Sequence, residues 1–316
     1  MFGFYDSYFL LFGLRITYYG FIIAMAMALG VFVACKNAKF RNLKSDDILI
    51  LACYILPLAI IGARIYYVIF SDNSYTFGEI FRIWDGGMAI LGGVIGGAIG
   101  AVLYCLIHKK NLLDVGDIVA PSLILGQAIG RIGCYFAGCC YGVEVTDPTL
   151  QWFPLSTMIG GHWHYSTFFY ESIWNFCGFI VLLLLLRKNK VRNSGEVIAL
   201  YFLIYGAGRA WIEGMRGDSL YIGSLKVSQI LSIILVIIAI AMIVVIEILQ
   251  KKGKIKSLRE LQSAYSNNLL TELENQKQAR LEKKNARLQQ REQKKELKKR
   301  EDLEDEKQTK NDKEKE

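Results

Sequence analysis

The chain has 316 residues, of which 53% are hydrophobic, and a formal net charge of +8. That charge is unevenly placed: residues 251–316 hold 20 Lys and Arg against 14 Asp and Glu, which leaves 17 against 15 for residues 1–250. The division predicts a nearly neutral apolar body and a basic tail, and it excludes a chain that is soluble throughout. We expect no nucleic-acid partner.

The body contains seven apolar runs long enough to cross a hydrocarbon core about 30 Å thick as helices of ~20 residues. They lie near residues 17–36, 47–70, 86–106, 114–137, 167–186, 195–215 and 227–249. The first run lacks a basic start and a small-residue cleavage site, so we predict a span and not a cleaved signal peptide. The predicted fold is therefore an all-α polytopic membrane protein with seven transmembrane helices.

Lysine and arginine in the short loops set the predicted orientation. Three alternate loops hold most of them: Lys36, Lys39, Arg41 and Lys44; Lys109 and Lys110; and Arg187, Lys188, Lys190 and Arg192. Residues 138–166 contain no lysine or arginine. By the positive-inside rule, the basic loops and the C-terminus are cytoplasmic, and the N-terminus and residues 138–166 lie outside.

The predicted domains are a seven-helix membrane domain over residues 1–250 and a tail over residues 251–316. The tail is rich in Lys, Glu, Gln, Arg and Leu, and Gly253 is its last glycine. Its charges recur at spacings that allow pairs four residues apart on a helix, so we predict a charged, helical or disordered cytoplasmic tail.

Ionisable residues within or at the ends of the apolar runs mark candidate sites, since such charges normally face a cavity or one another. The candidates among them are Arg64, Arg131, Glu171, Arg209, Glu213 and Arg216. In "YGAGRAWIEGMRGD", residues 209, 213 and 216 follow a spacing that places them along one helical stripe. Two interpretations stay open: an ion triad that only locks helices together, or an anion site in which arginines bind phosphate.

Cysteines and glycines surround Arg131 in "GRIGCYFAGCCYG". Cys134, Cys139 and Cys140 are expected near the outer surface, where a disulfide or a metal site stays open. Their spacing matches no recognised ligand pattern, and we predict no metal and no cofactor. The glycine-rich run over residues 85–100 predicts close helix packing, and it is also compatible with a broken helix.

Six motifs in order resemble the bacterial phosphatidylglycerol:prolipoprotein diacylglyceryl transferase family across residues 15–245. They are "TYYGFIIA", "GARIYYVIF", "WDGGMAILGGVIGG", "DIVAPSLILGQAIGRIGCYFAGCCYG", "STFFYE" and "YGAGRAWIEGMR". The resemblance implies transfer of the diacylglyceryl group of phosphatidylglycerol to the lipobox cysteine of a prolipoprotein, at the outer face of the bacterial plasma membrane. The implied partners are phosphatidylglycerol, the prolipoprotein signal peptide and membrane lipids.

The resemblance also implies site residues. Arg131, Arg209 and Glu213 are the expected catalytic residues, with the two arginines holding phosphate and Glu213 orienting them. Tyr19, Gly142, Arg216 and again Arg131 are the expected phosphatidylglycerol-binding residues, with Arg216 placed where substrate enters. The arginines suit the implied reaction, because cations stabilise the departing phosphate.

The sequence departs from the family pattern at four positions. Leu91 stands where the family often has histidine or tyrosine, Cys134 replaces asparagine, Cys139 replaces an acidic residue, and Ser166 replaces proline. The proton acceptor therefore stays open: the electropositive field alone, or Glu171, Glu213, His162 or His164. A transporter, a thiol-based redox or metal protein, and a catalytically impaired relative are the alternative functions.

Overall fold

The computed structural model describes most of the body and a few positions of the tail. The described residues are 8–11, 14–71, 75, 77–80, 86–188, 193–217, 221–222, 225–252, 271, 274, 277–278 and 282. The chain divides into two units, Met1–Gln262 and Ser263–Glu316, and the helices and strands below belong to the first. Most of the predicted tail lies outside the described residues, so its boundary at residue 251 and its structure stay predictions.

The described body is built from helices, which confirms the predicted helical class. The helices are α1 (Tyr18–Asn37), α2 (Ser45–Phe70), α3 (Phe77–Ile80), α4 (Ile90–His108), α5 (Leu112–Phe136), α6 (Thr167–Arg187), α7 (Glu196–Glu213) and α8 (Val227–Lys251). Among the described residues, six helices are long and apolar enough to cross a membrane, all except α3 and α7. Helix α7 is less apolar because Glu196, Arg209 and Glu213 fall within its 18 residues. A seventh span and the orientation of the termini stay predictions.

The structure also contains three short antiparallel hairpins, which the sequence analysis did not predict: one precedes α1 and two lie between helices. The strands are β1 (Tyr8–Leu11) with β2 (Leu14–Thr17), β3 (Ser156–Ile159) with β4 (His162–Tyr165), and β5 (Tyr221–Ile222) with β6 (Leu225–Lys226). The β3–β4 hairpin lies in the loop between α5 and α6. Strands of two to four residues are too short to show the alternation of apolar and polar residues by which a strand is distinguished from a loop.

Helices α2 and α4 pack with their backbones in contact, as the glycine-rich run predicted. Gly92 and Gly96 of α4 face Gly62 and Leu58 of α2, and a Cβ atom on Gly96 would collide with the backbone oxygen of Leu58. Glycine therefore allows an approach that no side chain would permit. Gly97, one position further, faces Ile55 and has ordinary room, with 3.6 Å from an added Cβ to the Cγ2 atom of Ile55.

This difference gives a matched pair of substitutions. We expect Gly96→Ala to lower the free energy of unfolding by about 1–3 kcal/mol, because the added methyl group forces two helix backbones apart. We expect Gly97→Ala to change it by less than about 0.5 kcal/mol, since the methyl group has room. Thermal unfolding of both variants in the same detergent checks the prediction, and an equal effect of the two would contradict the packing described here.

Arg64 explains why α4 begins at Ile90, later than the predicted residue 86. Its guanidinium donates hydrogen bonds to the backbone oxygens of Glu79 at 2.7 Å, Ile80 at 2.9 Å, Gly86 at 2.7 Å and Gly87 at 3.0 Å. Arg64 thus holds the irregular segment before α4. These hydrogen bonds give Arg64 a structural role, and its role as a site marker stays a prediction.

A buried ion pair joins the starts of α5 and α7 to the end of α1. Arg41 Nε donates to Asp117 Oδ2 at 2.8 Å, and neither side chain is exposed to solvent. Asp117 also accepts hydrogen bonds from the backbone amides of Gly195 at 2.8 Å and Ile198 at 3.0 Å. Arg41 lies in the connection between α1 and α2, as the orientation prediction assumed, and its side chain is buried there by this pairing.

Candidate active site

Five charged side chains from α5, α6, α7 and the turn after α7 form a continuous chain of ion pairs, called here the ion-pair chain. Arg131 Nη2 lies 2.8 Å from Glu171 Oε1, and Arg209 Nη1 lies 3.1 Å from Glu171 Oε2. Arg209 Nη2 lies 3.0 Å from Glu213 Oε2, and Arg216 Nε lies 4.0 Å from the same oxygen. Cations and carboxylates therefore alternate from Arg131 to Arg216.

The ion-pair chain carries a net charge of +1, from three guanidiniums and two carboxylates. The carboxylate side chains are 2–4% exposed, and the three arginines are 11–17% exposed. Buried carboxylates need such partners, since an unpaired buried charge is costly. Each guanidinium has five N–H donors, more than the carboxylates here engage, so the cluster can also bind an anion.

The end of α7 fixes the second half of the ion-pair chain. Arg209 and Glu213 are four residues apart on the helix, and Arg216 follows in the turn after the helix ends. Lys226 Nζ donates hydrogen bonds to the backbone oxygens of Glu213 at 2.7 Å, Gly214 at 3.4 Å and Arg216 at 2.8 Å. A cation at a helix C-terminus satisfies the free carbonyls there, and the sequence analysis did not identify this role of Lys226.

A cavity of about 620 Å³ begins at Arg131 and extends between α1, α2 and α5. Most of its lining is apolar, and it includes Met27, Val31, Leu51 and Leu56. Its polar end contains Arg131, Tyr205 and three cysteines. This volume lies within the usual range for a pocket that encloses a ligand, and the arrangement suits a molecule with apolar tails and an anionic head.

The three cysteines lie beside Arg131, and Arg131 Nη1 donates a hydrogen bond to Cys140 Sγ at 3.4 Å. The pKa of the Cys140 thiol is lowered, because the thiols of Cys134 and Cys139 hydrogen-bond to it and because Arg131 and Arg216 are close. The guanidinium of Arg131 is therefore shared between a carboxylate and a thiol.

Of the six predicted site residues, all of which are described, only Tyr19 and Arg131 line the cavity. Gly142 is held elsewhere: its amide donates to the backbone oxygen of Tyr165 at 2.8 Å, and its backbone pairs with Arg216. A Cβ atom on Gly142 would lie 2.7 Å from Tyr165 Cβ and 2.8 Å from the oxygen of Met215. The structure thus gives Gly142 a packing role, and its contact with lipid stays a prediction.

The residues considered as proton acceptors differ in position. His162 Nδ1 lies 2.7 Å from Glu144 Oε1 on the exposed hairpin, and His164 Nδ1 lies 3.1 Å from the backbone oxygen of Gly142. Glu171 and Glu213 both pair with arginines of the ion-pair chain. None of these four residues lines the cavity, and Leu91 does not line it either.

Comparisons with known proteins agree with this geometry. A family model described as "Prolipoprotein diacylglyceryl transferase" matches residues 7–245. A protein of Ligilactobacillus salivarius named phosphatidylglycerol--prolipoprotein diacylglyceryl transferase is 44% identical over 229 residues, covering 70% of this chain and 85% of the relative. Relatives with the same name in Listeria welshimeri and Clostridium botulinum are each 42% identical, over 71% and 70% of this chain and 83% and 89% of their own lengths.

Proposed function

The chain belongs to the prolipoprotein diacylglyceryl transferase family, and from this membership we propose that it transfers the diacylglyceryl group of phosphatidylglycerol to the lipobox cysteine of prolipoproteins. It is a membrane transferase of lipoprotein biosynthesis. The observation that carries the proposal is the cavity, in which an apolar channel ends at Arg131 and the ion-pair chain. We propose that the acyl chains lie along α1, α2 and α5 and that the headgroup phosphate contacts Arg131.

We propose that Arg131 and Arg209 stabilise the departing phosphate and that Glu213 orients Arg209. Arg209 is held on one side by Glu171 and on the other by Glu213, which fixes its guanidinium plane. Each Nη nitrogen carries a second N–H that can donate to a phosphate oxygen, and the fixed guanidinium needs no reorganisation while charge develops on the leaving group. Arg216 and Tyr19 complete the lipid contacts in this proposal, with Gly142 holding the backbone at Arg216.

The proposed reaction exchanges one bond for another at a glycerol carbon. The lipobox thiol releases its proton to water, and its sulfur forms a thioether with the terminal glycerol carbon as the bond from that carbon to the phosphate oxygen breaks. The phosphate leaves as glycerol phosphate, which takes up the negative charge. The positive ion-pair chain favours both the attacking thiolate and the phosphate dianion, since both are anions.

We propose that the protein spans a bacterial plasma membrane seven times, with α7 as the additional span. Arg209 of α7 pairs with Glu171 of α6, which also pairs with Arg131 of α5. This supports the proposal, because charges at membrane depth are tolerated when they face partners inside the bundle. The proposed orientation keeps the N-terminus and residues 138–166 outside and the tail in the cytoplasm, and it places the ion-pair chain in the outer half of the membrane.

Transfer of label is the direct test. Purified protein in detergent, given phosphatidylglycerol with labelled acyl chains and a lipobox peptide, is expected to label the peptide and release glycerol phosphate. The matched control is the same peptide with serine in place of the lipobox cysteine, which is expected to stay unlabelled because the nucleophile is lost. Absence of label on the cysteine peptide would contradict the transferase assignment and favour an impaired relative.

A further inference from the structure

Three cysteines, one in the last turn of α5 and two in the loop that follows it, converge in space. The sulfur atoms of Cys134, Cys139 and Cys140 lie within 4.8 Å of one another. Among the described residues, this is the one group of three or more Cys, His, Asp or Glu side chains whose ligand atoms lie close enough to hold a metal ion. All three sulfurs belong to free cysteines that line the cavity.

The backbone after α5 is folded to bring these sulfurs together. Gly138 has φ of 58° and Cys140 has φ of 61°, and the amide of Cys139 donates to the backbone oxygen of Cys134 at 3.1 Å. Thr167 Oγ1 then holds the backbone oxygen of Cys140 at 2.8 Å. A positive φ is unfavourable for a side chain such as that of Cys140. The fold thus accepts strain at the position that turns the third thiol toward the other two.

The spacing of the sulfurs suits a metal ion. Three thiolates at the usual Zn–S distance of about 2.3 Å lie roughly 3.8 Å from one another in a tetrahedral site, so the observed group needs a contraction of only about 1 Å. A zinc site with three protein ligands keeps a fourth position open to water or substrate. Here that position faces the cavity, because all three cysteines line it.

The charges around the three cysteines also favour binding of a divalent metal ion. Three thiolates around a divalent ion leave one negative charge, and the Arg131 guanidinium already donates to Cys140 Sγ. Soft thiolate ligands select ions such as Zn²⁺ over Mg²⁺ or Ca²⁺, which prefer oxygen ligands. The positive partner that an anionic metal site requires is therefore in place.

We propose that Cys134, Cys139 and Cys140 form a three-thiolate site for a divalent ion of the Zn²⁺ class, with its fourth coordination position open to the cavity. The site does not depend on the proposed transfer reaction, since its occupancy is measured as metal binding. Loss of transfer and loss of metal binding are therefore separate results.

Titration with Co²⁺ is the experiment that tests the site, because thiolate-bound Co²⁺ absorbs by sulfur-to-metal charge transfer. Reduced, chelator-treated full-length protein in detergent is expected to bind one equivalent of Co²⁺ with this absorption, and one equivalent of Zn²⁺ is expected to abolish it. Cys139→Ser and Cys140→Ser are each expected to weaken Co²⁺ binding at least 10-fold. The controls are Cys53→Ser and Cys177→Ser, in cysteines on other helices, which are expected to bind as the unmodified protein does.

A second measurement uses the unmodified protein, so that it does not depend on the folding of variants. Saturating Zn²⁺ is expected to slow alkylation of Cys139 and Cys140, measured by mass spectrometry of peptides, while alkylation of Cys53 stays unchanged. The proposal is overturned by alkylation of all three at the same rate with and without Zn²⁺, by Co²⁺ absorption that survives both serine variants, or by a disulfide among the three that forms in place of Zn²⁺ uptake.

Discussion

Replacing Arg131 with alanine is expected to lower the rate of diacylglyceryl transfer about 100- to 1,000-fold, the usual effect of removing a donor that stabilises a developing anion. Arg131 stands at the junction of the apolar cavity and the ion-pair chain, 2.8 Å from Glu171. Arg131→Lys is expected to recover part of the rate, since it keeps the charge and loses the planar fork. Labelling of the lipobox peptide at saturating phosphatidylglycerol measures both.

The control for this prediction separates lost phosphate binding from lost structure. Arg187→Ala removes an arginine at the far end of α6, where Nε donates to Asn37 Oδ1 at 3.0 Å, and is expected to leave transfer close to that of the unmodified protein. The double variant Arg131→Ala, Glu171→Gln removes the carboxylate that Arg131 leaves behind. Recovery of transfer in the double variant would show that Arg131 serves only to neutralise Glu171.

Loss of the buried Arg41 and Asp117 pair is the second large effect we expect. Arg41→Ala leaves the Asp117 carboxylate fully enclosed, with the amides of Gly195 and Ile198 as its remaining donors. Breaking a buried ion pair by removing one partner costs about 3–5 kcal/mol. Thermal unfolding of Arg41→Ala in detergent, with unfolding monitored by circular dichroism, is the measurement.

A second ion pair in the same part of the molecule provides the comparison. Lys110 Nζ lies 3.0 Å from Asp47 Oδ2, and the two side chains are 30% and 18% exposed. Lys110→Ala is expected to cost no more than about 1 kcal/mol, as partly exposed pairs usually do. The double variant Arg41→Leu, Asp117→Leu is expected to recover much of the loss, because it removes both buried charges. Equal losses in Arg41→Ala and Lys110→Ala would contradict the prediction.

Much of the helical framework follows from hydrophobic run length alone. The run at residues 167–186 corresponds to α6 (Thr167–Arg187), and that at residues 114–137 to α5 (Leu112–Phe136). Such runs can be located because a helix that crosses an apolar phase needs about 20 apolar residues whatever its neighbours are. The late start of α4 could not be found in this way, since it depends on hydrogen bonds from Arg64, which lies on another helix.

In the candidate site, too, some contacts follow from spacing along the chain and others depend on how the helices pack. The four-residue spacing of Arg209 and Glu213 on α7 is local information, and it placed the two together correctly. The predicted stripe was wrong for Arg216, because α7 ends at Glu213 and Arg216 reaches the same carboxylate from the following turn. The place of Glu171 between Arg131 and Arg209 depends on how α5, α6 and α7 pack, which no spacing along the chain encodes. The convergence of the three cysteines likewise requires the left-handed backbone at Cys140, an uncommon conformation outside glycine.

The turn of the β3–β4 hairpin has a practical consequence for topology mapping. Gly160 and Gly161 have φ of 60° and 92°, and an added Cβ atom at either would meet nothing within 4 Å. The other end of the hairpin is tied through Gly142 to Arg216. An epitope tag inserted between Gly160 and Gly161 would therefore point away from the charged cluster, and antibody access to it in intact cells would reveal which side of the membrane carries the chemistry.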